Sequence, residues 1–231
     1  MVVPHIRRFD KDTYEQYAFQ KKHTNAKVSP TTGAEPHWNP KLWNQVEKIL
    51  AHHNCYSYAT DTLSYHRDGK AQPGYFSGQD GTPEDQYHCL SFVERIKRDN
   101  PSFVLTTFGA KCPPGFHKAF LAVDNKKGDV DYHFYRQDKD GNWSHKPGRT
   151  EATRLDAQGK NIKNPLTADR KYPGYQYVLP CFFFCVEKGL ARTSSQEVPS
   201  SIQKQTQKNS KGGGKSRGGS TQRKKTHRTK K

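Results

Sequence analysis

The sequence predicts a mixed α+β domain in which N-terminal helices pack on an antiparallel β-sheet that follows them in the chain. Capped segments with helical spacing occur in the first half of the chain, whereas aromatic-rich segments with strand-like alternation and a strong turn signal follow. Helices first and an antiparallel meander afterwards are typical of the α+β class. Hydrophobic residues make up only 31% of the chain, so its twelve Tyr and twelve Phe must supply much of the core.

Three helices are expected in the first half of the chain. Asn39 and Pro40 form a cap and a first-turn proline, and the helix that they start should run to about His52. A second, short helix is expected over residues 55–65, and the capping signal at residues 82–85 predicts the start of a third. The apolar spacing that supports the first helix is formed by Leu42, Trp43, Val46, Ile49 and Leu50.

Five strands are expected after the helices. Between the third and the fourth strand, Asp140 and Gly141 give a hairpin turn signal. If the turn is centred near Lys139, His133 and His145 lie opposite each other on the two arms and share one face of the hairpin. The predicted strands cover residues 103–108, 117–123, 131–137, 142–146 and 177–186.

The chain divides into an irregular N-terminal segment (1–36), one α+β domain (37–193) and a tail (194–231). The tail holds 11 of the 39 Lys and Arg and 1 of the 22 Asp and Glu, so it carries 11 − 1 = +10 of the net charge of +17. It has almost no apolar residues to offset its conformational entropy, and it is therefore expected to be disordered.

A polycationic tail binds nucleic acid or another polyanion through release of counterions. The same composition also fits a nuclear address or a solubilising tail without selectivity. The candidate nucleic-acid-binding residues are Lys211, Lys215, Arg217, Arg223, Lys224, Lys225, Arg228, Lys230 and Lys231.

Several features indicate an intracellular protein of a reducing compartment, cytoplasmic or nuclear, or a virion component if the chain is viral. No apolar run approaches the roughly 20 residues of a membrane span, and residues 1–8 lack the apolar core of a secretory signal. Five cysteines, an odd number without regular spacing, argue against a disulfide framework. Cys181 and Cys185 are predicted on one face of a strand, but their spacing does not match a zinc site, and neither metal nor cofactor is expected.

Cys55 is the candidate nucleophile. It stands at a predicted helix start, where the helix dipole and a neighbouring imidazole lower the pKa of a thiol from its ordinary value of about 8.5. A strand-borne histidine that faces such a thiol acts as its base and returns the proton to the leaving group. The residues and their order therefore indicate cysteine-dependent chemistry.

The motif Asn54-Cys55-x-x-Tyr58-Ala59 and the histidine-bearing hairpin resemble the papain-like cysteine amidases and peptidases of the CHAP and NlpC type. The resemblance implies a papain-like α+β fold with Cys55 as nucleophile, His133 as base and His145 as the residue that orients the base. The string HFYRQD…GNWSHKPG also resembles a set of proteins from bacteria and large DNA viruses. This second resemblance covers roughly residues 52–187 and implies no particular activity.

A rival base is His117, at the start of a predicted strand that resembles the strand beginning with the base histidine in the CHAP type. If the strands 117–123 and 131–137 pair as a hairpin, Gln137 or Asp138 lies near His117 and orients it. The sequence leaves both assignments open.

Two functions are consistent with these features. The first is a cysteine hydrolase of amide or peptide bonds, in effect a thiol protease or amidase, with a protein or peptide-like substrate and a polyanion-binding tail. The alternative is a non-enzymatic, nucleic-acid-associated or virion structural protein on an inactive papain-like scaffold. The distance between the Cys55 sulfur and an imidazole distinguishes the two.

Overall fold

Four helices precede seven strands in the part of the chain that the computed structural model describes, which comprises residues 26–63, 70–79, 82–83, 86–126, 128 and 130–193. The helices are α1 (Pro40–Gln45), α2 (Glu47–His52), α3 (Cys55–Ala59) and α4 (Cys89–Asp99). The strands are β1 (Val104–Thr106), β2 (Phe116–Asp124), β3 (Asp131–Gln137), β4 (Trp143–His145), β5 (Lys171–Tyr172), β6 (Tyr175–Gln176) and β7 (Leu179–Glu187).

Five of the strands form one antiparallel sheet with the order β1-β7-β2-β3-β4. The short strands β5 and β6 pair with each other as a separate hairpin. The predicted α+β class, with helices before an antiparallel sheet, is therefore confirmed. In the described residues, no helix combines the length and the apolar composition that crossing a bilayer requires.

The sheet has a core on each of its faces. Helices α3 and α4 pack on one, here called the helix-side face, and loops and the β5–β6 hairpin cover the other, here called the loop-side face. Along β2 and β3 the side chains alternate between these faces, as the pleat of a strand requires. The helix-side core includes Ala119, Leu121, Val123, Tyr132 and Phe134, and the loop-side core includes Phe120, Ala122, Tyr135 and Trp143.

The predicted first helix is divided into two. Asn39 is the expected cap, since its side chain accepts a hydrogen bond from the Leu42 N–H, but Val46 is extended (φ −94°, ψ 100°) and separates α1 from α2. Trp43 of α1 and Ile49 of α2 are both buried.

The predicted start of the third helix at residues 82–85 is wrong. Helix α4 begins at Cys89, and its cap is His88, whose Nδ1 accepts the Ser91 N–H at 3.3 Å. Residues 84–85 and the end of the second predicted helix lie outside the described residues. Sequence rules for caps favour Ser, Thr, Asp and Asn, and they therefore pass over an imidazole in the same position.

The predicted hairpin between β3 and β4 forms with a register different from the one expected. Tyr135 pairs with His145 and Gln137 with Trp143, so the turn is centred on Asp140 rather than Lys139. A shift of one residue in the turn moves each cross-strand partner by two, and His133 therefore lies diagonal to His145 on the same face.

Two disulfide bonds, Cys89–Cys181 and Cys112–Cys185, correct the expectation that the chain has no disulfide framework. Both attach β7, the first to α4 and the second to the loop before β2. They join residues 92 and 73 positions apart, and the entropy that each removes from the unfolded chain corresponds to about 4.5 kcal/mol. Cys55 is the cysteine that remains a free thiol.

The spacing of Cys181 and Cys185 predicted that they share one face of the strand, but a β-bulge places them on opposite faces. Cys181 is the extra residue of the bulge, turned toward the helix-side core. Beyond the bulge, Phe184 and Val186 face the helices, so Cys185 faces the loops. The register on the two sides of the bulge pairs Leu121 with Phe182 and Ala122 with Pro180.

The irregular residues 26–36 lie against the sheet. The Thr32 hydroxyl donates to the Phe116 carbonyl at 2.6 Å, and Gln137 Nε2 donates to the Ser29 carbonyl at 2.8 Å. Of the three segments expected from the sequence, the tail at residues 194–231 and the first 25 residues lie outside the described part.

Candidate functional site

Cys55 is the first residue of α3, as its sequence context predicts. The Asn54 side chain caps this helix by accepting the Ser57 N–H at 3.2 Å, and its amide donates to the Ala71 carbonyl at 2.8 Å. Cys55 is only 5% exposed. Its thiol is therefore part of the helix-side core rather than the floor of a cleft.

The structure does not bring Cys55 together with His133 or His145. The Cys55 thiol donates to the Tyr132 carbonyl at 3.8 Å and packs among the side chains of the helix-side core. His133 follows Tyr132 in the strand, so its imidazole projects from the loop-side face. The sheet itself separates the thiol from the imidazole, and a nucleophile–base pair is not formed.

The electrostatics of Cys55 are opposite to those of a reactive thiol. Burial, together with the negative charge of Asp131, raises the pKa of the Cys55 thiol to about 12. A nucleophilic cysteine needs its thiolate near neutral pH, which a partner cation provides by lowering the pKa. In this protein Cys55 is a protonated, buried thiol.

His133 and His145 do form a pair, which we call the histidine pair. His133 Nε2 and His145 Nδ1 are 2.7 Å apart, and His145 Nε2 lies 2.9 Å from the Leu155 carbonyl. Because that carbonyl can only accept, His145 Nε2 carries a proton, and in the neutral ring Nδ1 accepts from His133 Nε2–H. The aromatic rings around the pair belong to Tyr135, Tyr172 and Tyr177.

Burial lowers the pKa of both members of the histidine pair. The pKa of His145 falls to about 4, and that of His133 falls well below its ordinary value, since the charge of His145 also disfavours its protonation. The pair is therefore neutral at neutral pH. Its hydrogen bonds join the β3–β4 hairpin to the segment that contains Leu155.

The alternative triad of Cys55, His117 and Gln137 or Asp138 is not formed either. His117 is on the helix-side face, but its Nε2 donates to the Ala59 carbonyl at the end of α3, 2.8 Å away. Burial lowers the pKa of His117. Gln137 exchanges hydrogen bonds with Ser29, and Asp138 contacts arginines and a serine instead of an imidazole.

Among the described residues, Arg136 forms a salt bridge with Asp138 and not with Asp169. Arg136 Nε lies 3.4 Å from Asp138 Oδ1, and Arg136 Nη1 lies 2.7 Å from Asp61 Oδ1. Asp169 instead accepts from the Gln158 side chain and from the Lys171 N–H. The arginine therefore has a structural role between α3 and the sheet.

Two buried lysines were missed by the sequence reasoning, which treats lysine as a surface residue. Each ammonium has three donors, and each finds three acceptors within 2.8 Å. Burial lowers the pKa of Lys118 and of Lys146 to about 8. The acceptors are Ser29 Oγ and the carbonyls of Phe108 and Ala110 for Lys118, and the carbonyls of Leu50, His53 and Gly148 for Lys146.

Over the described ranges, no three His, Cys, Asp or Glu side chains come together as metal ligands would. The thiols of Cys181 and Cys185 are used in disulfides.

The fold and the site together define a disulfide-bonded α+β domain whose candidate nucleophile and bases lie buried and apart. Neither a family model nor a solved structure matches the chain. Insoluble matrix shell protein 1 of Ruditapes philippinarum is 38% identical over 135 residues, which cover 58% of this chain and 80% of that protein. The chain belongs to the same family as this shell matrix protein.

This relationship overturns the first functional prediction. The sequence motifs indicated a cysteine hydrolase, a thiol protease or amidase, whereas the relative is named as an insoluble component of a shell matrix. The hydrolase prediction is therefore wrong, and the non-enzymatic alternative fits better. The misleading signal was a cysteine at a helix start, a position that suits a buried thiol as well as a nucleophile.

We expect the five cysteines to react in a definite order with iodoacetamide. In the native, unreduced protein at pH 8 none should be modified, because Cys55 is buried and the other four are in disulfides. Unfolding without a reductant should expose Cys55 alone, and reduction should then release the rest. Peptide mass spectrometry checks the order, with His133→Ala as a matched variant. Rapid modification of native Cys55, slowed in His133→Ala, would restore the catalytic interpretation.

The histidine pair predicts a loss of stability in acid. A histidine whose folded pKa lies below its unfolded value of about 6.5 binds its proton more readily after unfolding, so stability falls as pH drops through 6.5 toward the folded pKa. For His145, whose folded pKa is about 4, the loss by pH 4 is about 3 kcal/mol. Burial raises the pKa values of Asp131 and Asp138, so these carboxyl groups take up protons on folding in acid. Their effect opposes part of the loss of stability that the histidine pair causes.

Urea unfolding at pH 7, 5.5 and 4 measures this effect in the parent protein and in His145→Phe. The variant should be less stable at pH 7 but should lose less stability between pH 7 and pH 4. Val178→Ala, at an exposed residue that does not titrate, is the control, and it should have the pH dependence of the parent. Equal slopes in the parent and in His145→Phe would show that the histidine pair does not titrate as described.

Proposed function

We propose that this chain is a non-enzymatic structural protein of an insoluble extracellular matrix. The observation that carries the proposal is the 38% identity to Insoluble matrix shell protein 1 over 80% of the length of that relative. The Cys55 thiol is buried and protonated, and it does not contact the histidine pair. Both observations support the proposal, since a hydrolase of the expected type requires its thiol and imidazole in contact.

The two disulfides support an extracellular location in place of the reducing compartment expected from the sequence. Disulfides form and persist in oxidising environments and are rare in the cytosol. Here they attach β7 on both faces of the sheet, so the core of the domain includes them. In the matrix they would keep the domain folded where no chaperone can refold it.

The tail supplies a second function in this proposal, as a polycationic anchor. Its charge of 11 − 1 = +10 suits binding to a polyanionic component of the matrix by release of counterions. Nucleic acid, the partner first expected, has no support from the comparisons or from the contacts of the described residues. A polyanion of the matrix is therefore the partner that we propose.

We also propose, as a question of ancestry alone, that the domain is a papain-like scaffold without the activity. The order of a cysteine-headed helix and an antiparallel sheet supports this proposal.

Fractionation of the source tissue tests the matrix function. Extraction with salt, then with detergent, and finally with a denaturant plus a reductant separates soluble proteins from matrix proteins. An antibody to the domain should detect the chain only in the last fraction or in the residue. Recovery in the first, soluble extract together with cytosolic markers would contradict the proposal.

Chromatography on an immobilised polyanion tests the tail. We compare the full-length chain with a variant in which nine tail cations, Lys211, Lys215, Arg217, Arg223, Lys224, Lys225, Arg228, Lys230 and Lys231, are replaced by Gln. The variant should elute at a much lower salt concentration, because fewer counterions are released, and its melting temperature should be unchanged. If both proteins elute at the same salt concentration, the tail does not anchor the chain to a polyanion.

A further inference from the structure

The side chain of Asn142 takes no part in the hydrogen bonds that hold the turn between β3 and β4. The Asp138 N–H donates to the Asn142 carbonyl at 2.8 Å, and the Gly141 N–H donates to the Asp138 carbonyl at 2.8 Å. The Asn142 N–H donates to Asp140 Oδ1 at 3.2 Å. Main-chain groups and one carboxylate therefore form the turn, and the amide of Asn142, a partly exposed residue, is not needed for it.

Lys163 fixes the orientation of the Asn142 amide. Its ammonium donates to Asn142 Oδ1, and since an ammonium can only donate, the oxygen must be the amide atom that faces it. Asn142 Nδ2 therefore points away from Lys163. Among the described residues this nitrogen has no hydrogen-bond partner, and it is not enclosed by the protein. It is free to carry a substituent.

The sequence around Asn142 is the acceptor motif for N-linked glycans. Residues 142–144 read Asn-Trp-Ser, which matches Asn-x-Ser with x other than proline. The same spacing occurs at residues 100–102, which read Asn-Pro-Ser, and there the proline excludes the motif. Asn100 is also buried, and its amide donates to the Arg192 carbonyl at 2.9 Å. The motif and an open amide nitrogen therefore occur together at Asn142.

We propose that Asn142 Nδ2 carries an N-linked oligosaccharide. The donor is an oligosaccharide attached to a lipid diphosphate. A bond forms between Nδ2 and the anomeric carbon, the diphosphate leaves with the electron pair of the carbon–oxygen bond, and Nδ2 gives up one proton. Oδ1 still accepts from Lys163 afterwards, so the folded contact is kept. The proposal rests on the extracellular location proposed above, since the endoplasmic reticulum, where disulfides of secreted proteins form, also attaches these glycans.

The position of Ser144 determines when the glycan is attached. The motif requires the Ser144 hydroxyl as well as the Asn142 amide, and Ser144 is fully buried in the folded protein. Its hydroxyl donates to Asp138 Oδ1 at 2.8 Å and lies 2.7 Å from the Tyr58 hydroxyl. The transferring enzyme therefore has access to the whole motif only before β4 pairs with β3, while the chain is still unfolded.

Expression of the full-length chain in animal cells, behind an added secretory leader, tests the site. An amidase that releases N-linked glycans should lower the mass of the recovered protein by one glycan and convert Asn142 to aspartate, which takes up ¹⁸O from labelled water. Asn142→Gln should show neither change. Asn161→Gln, at an exposed residue outside the motif, should behave as the parent. A parent protein without a glycan, or a glycan that persists in Asn142→Gln, would overturn the proposal.

Detergent-solubilised microsomes with the donor lipid test the order of events. The reduced, unfolded chain should be glycosylated at Asn142, and the folded chain with both disulfides formed should not. Equal modification of the two would overturn the order.

Mass spectrometry of the chain from the source tissue should also find the glycan on Asn142. Unmodified Asn142 in protein from the insoluble fraction would overturn the glycan and leave the matrix function intact, so the two proposals fail separately.

Discussion

The buried guanidinium of Arg136 joins the N-terminal helices to the sheet, and much of the remaining structure is arranged around it. It donates to Asp61 and to the Tyr58 carbonyl at the end of α3, and its Cζ lies 3.9 Å from the centre of the Tyr58 ring. On the sheet it meets Asp138, which also binds Arg154. A charge this deep costs several kcal/mol to desolvate, so its partners are obligatory and removal of one costs about 3–5 kcal/mol. With only 31% hydrophobic residues, the chain packs satisfied polar groups where other domains place aliphatic ones.

The sequence predicted the features of the fold that depend on local chemistry. The Asn39 cap, the helix start at Cys55 and the main strands follow from spacing and capping alone. Features that depend on partners distant in sequence were missed. The disulfides join residues 92 and 73 positions apart, and the bulge at Cys181 depends on its pairing with β2. The two-residue strands of the β5–β6 hairpin are too short to show a period.

The candidate site shows the same division between local and distant information. That His133 and His145 touch follows from the hairpin, and it was predicted from the sequence. Cys55 packs against the opposite face of β3 because α3 covers the even-numbered residues of this strand. The sequences of α3 and β3 do not show whether the helix covers the even-numbered or the odd-numbered residues. A strand has two faces, and a motif that ignores this choice identifies residues without showing which of them meet.

The two disulfides also determine how the domain responds to mechanical load. Strand β7 ends at Glu187, and residues 188–193 connect it to the tail, so a force applied to the tail reaches this strand once the hydrogen bonds between Arg192 and Asn100 are broken. Hydrogen bonds alone would let a strand peel away from β1 and β2. Cys181 and Cys185 attach β7 covalently to α4 and to the loop before β2, one on each face of the sheet. Tension therefore spreads through covalent bonds into both layers, and the strand cannot be pulled out until those bonds break.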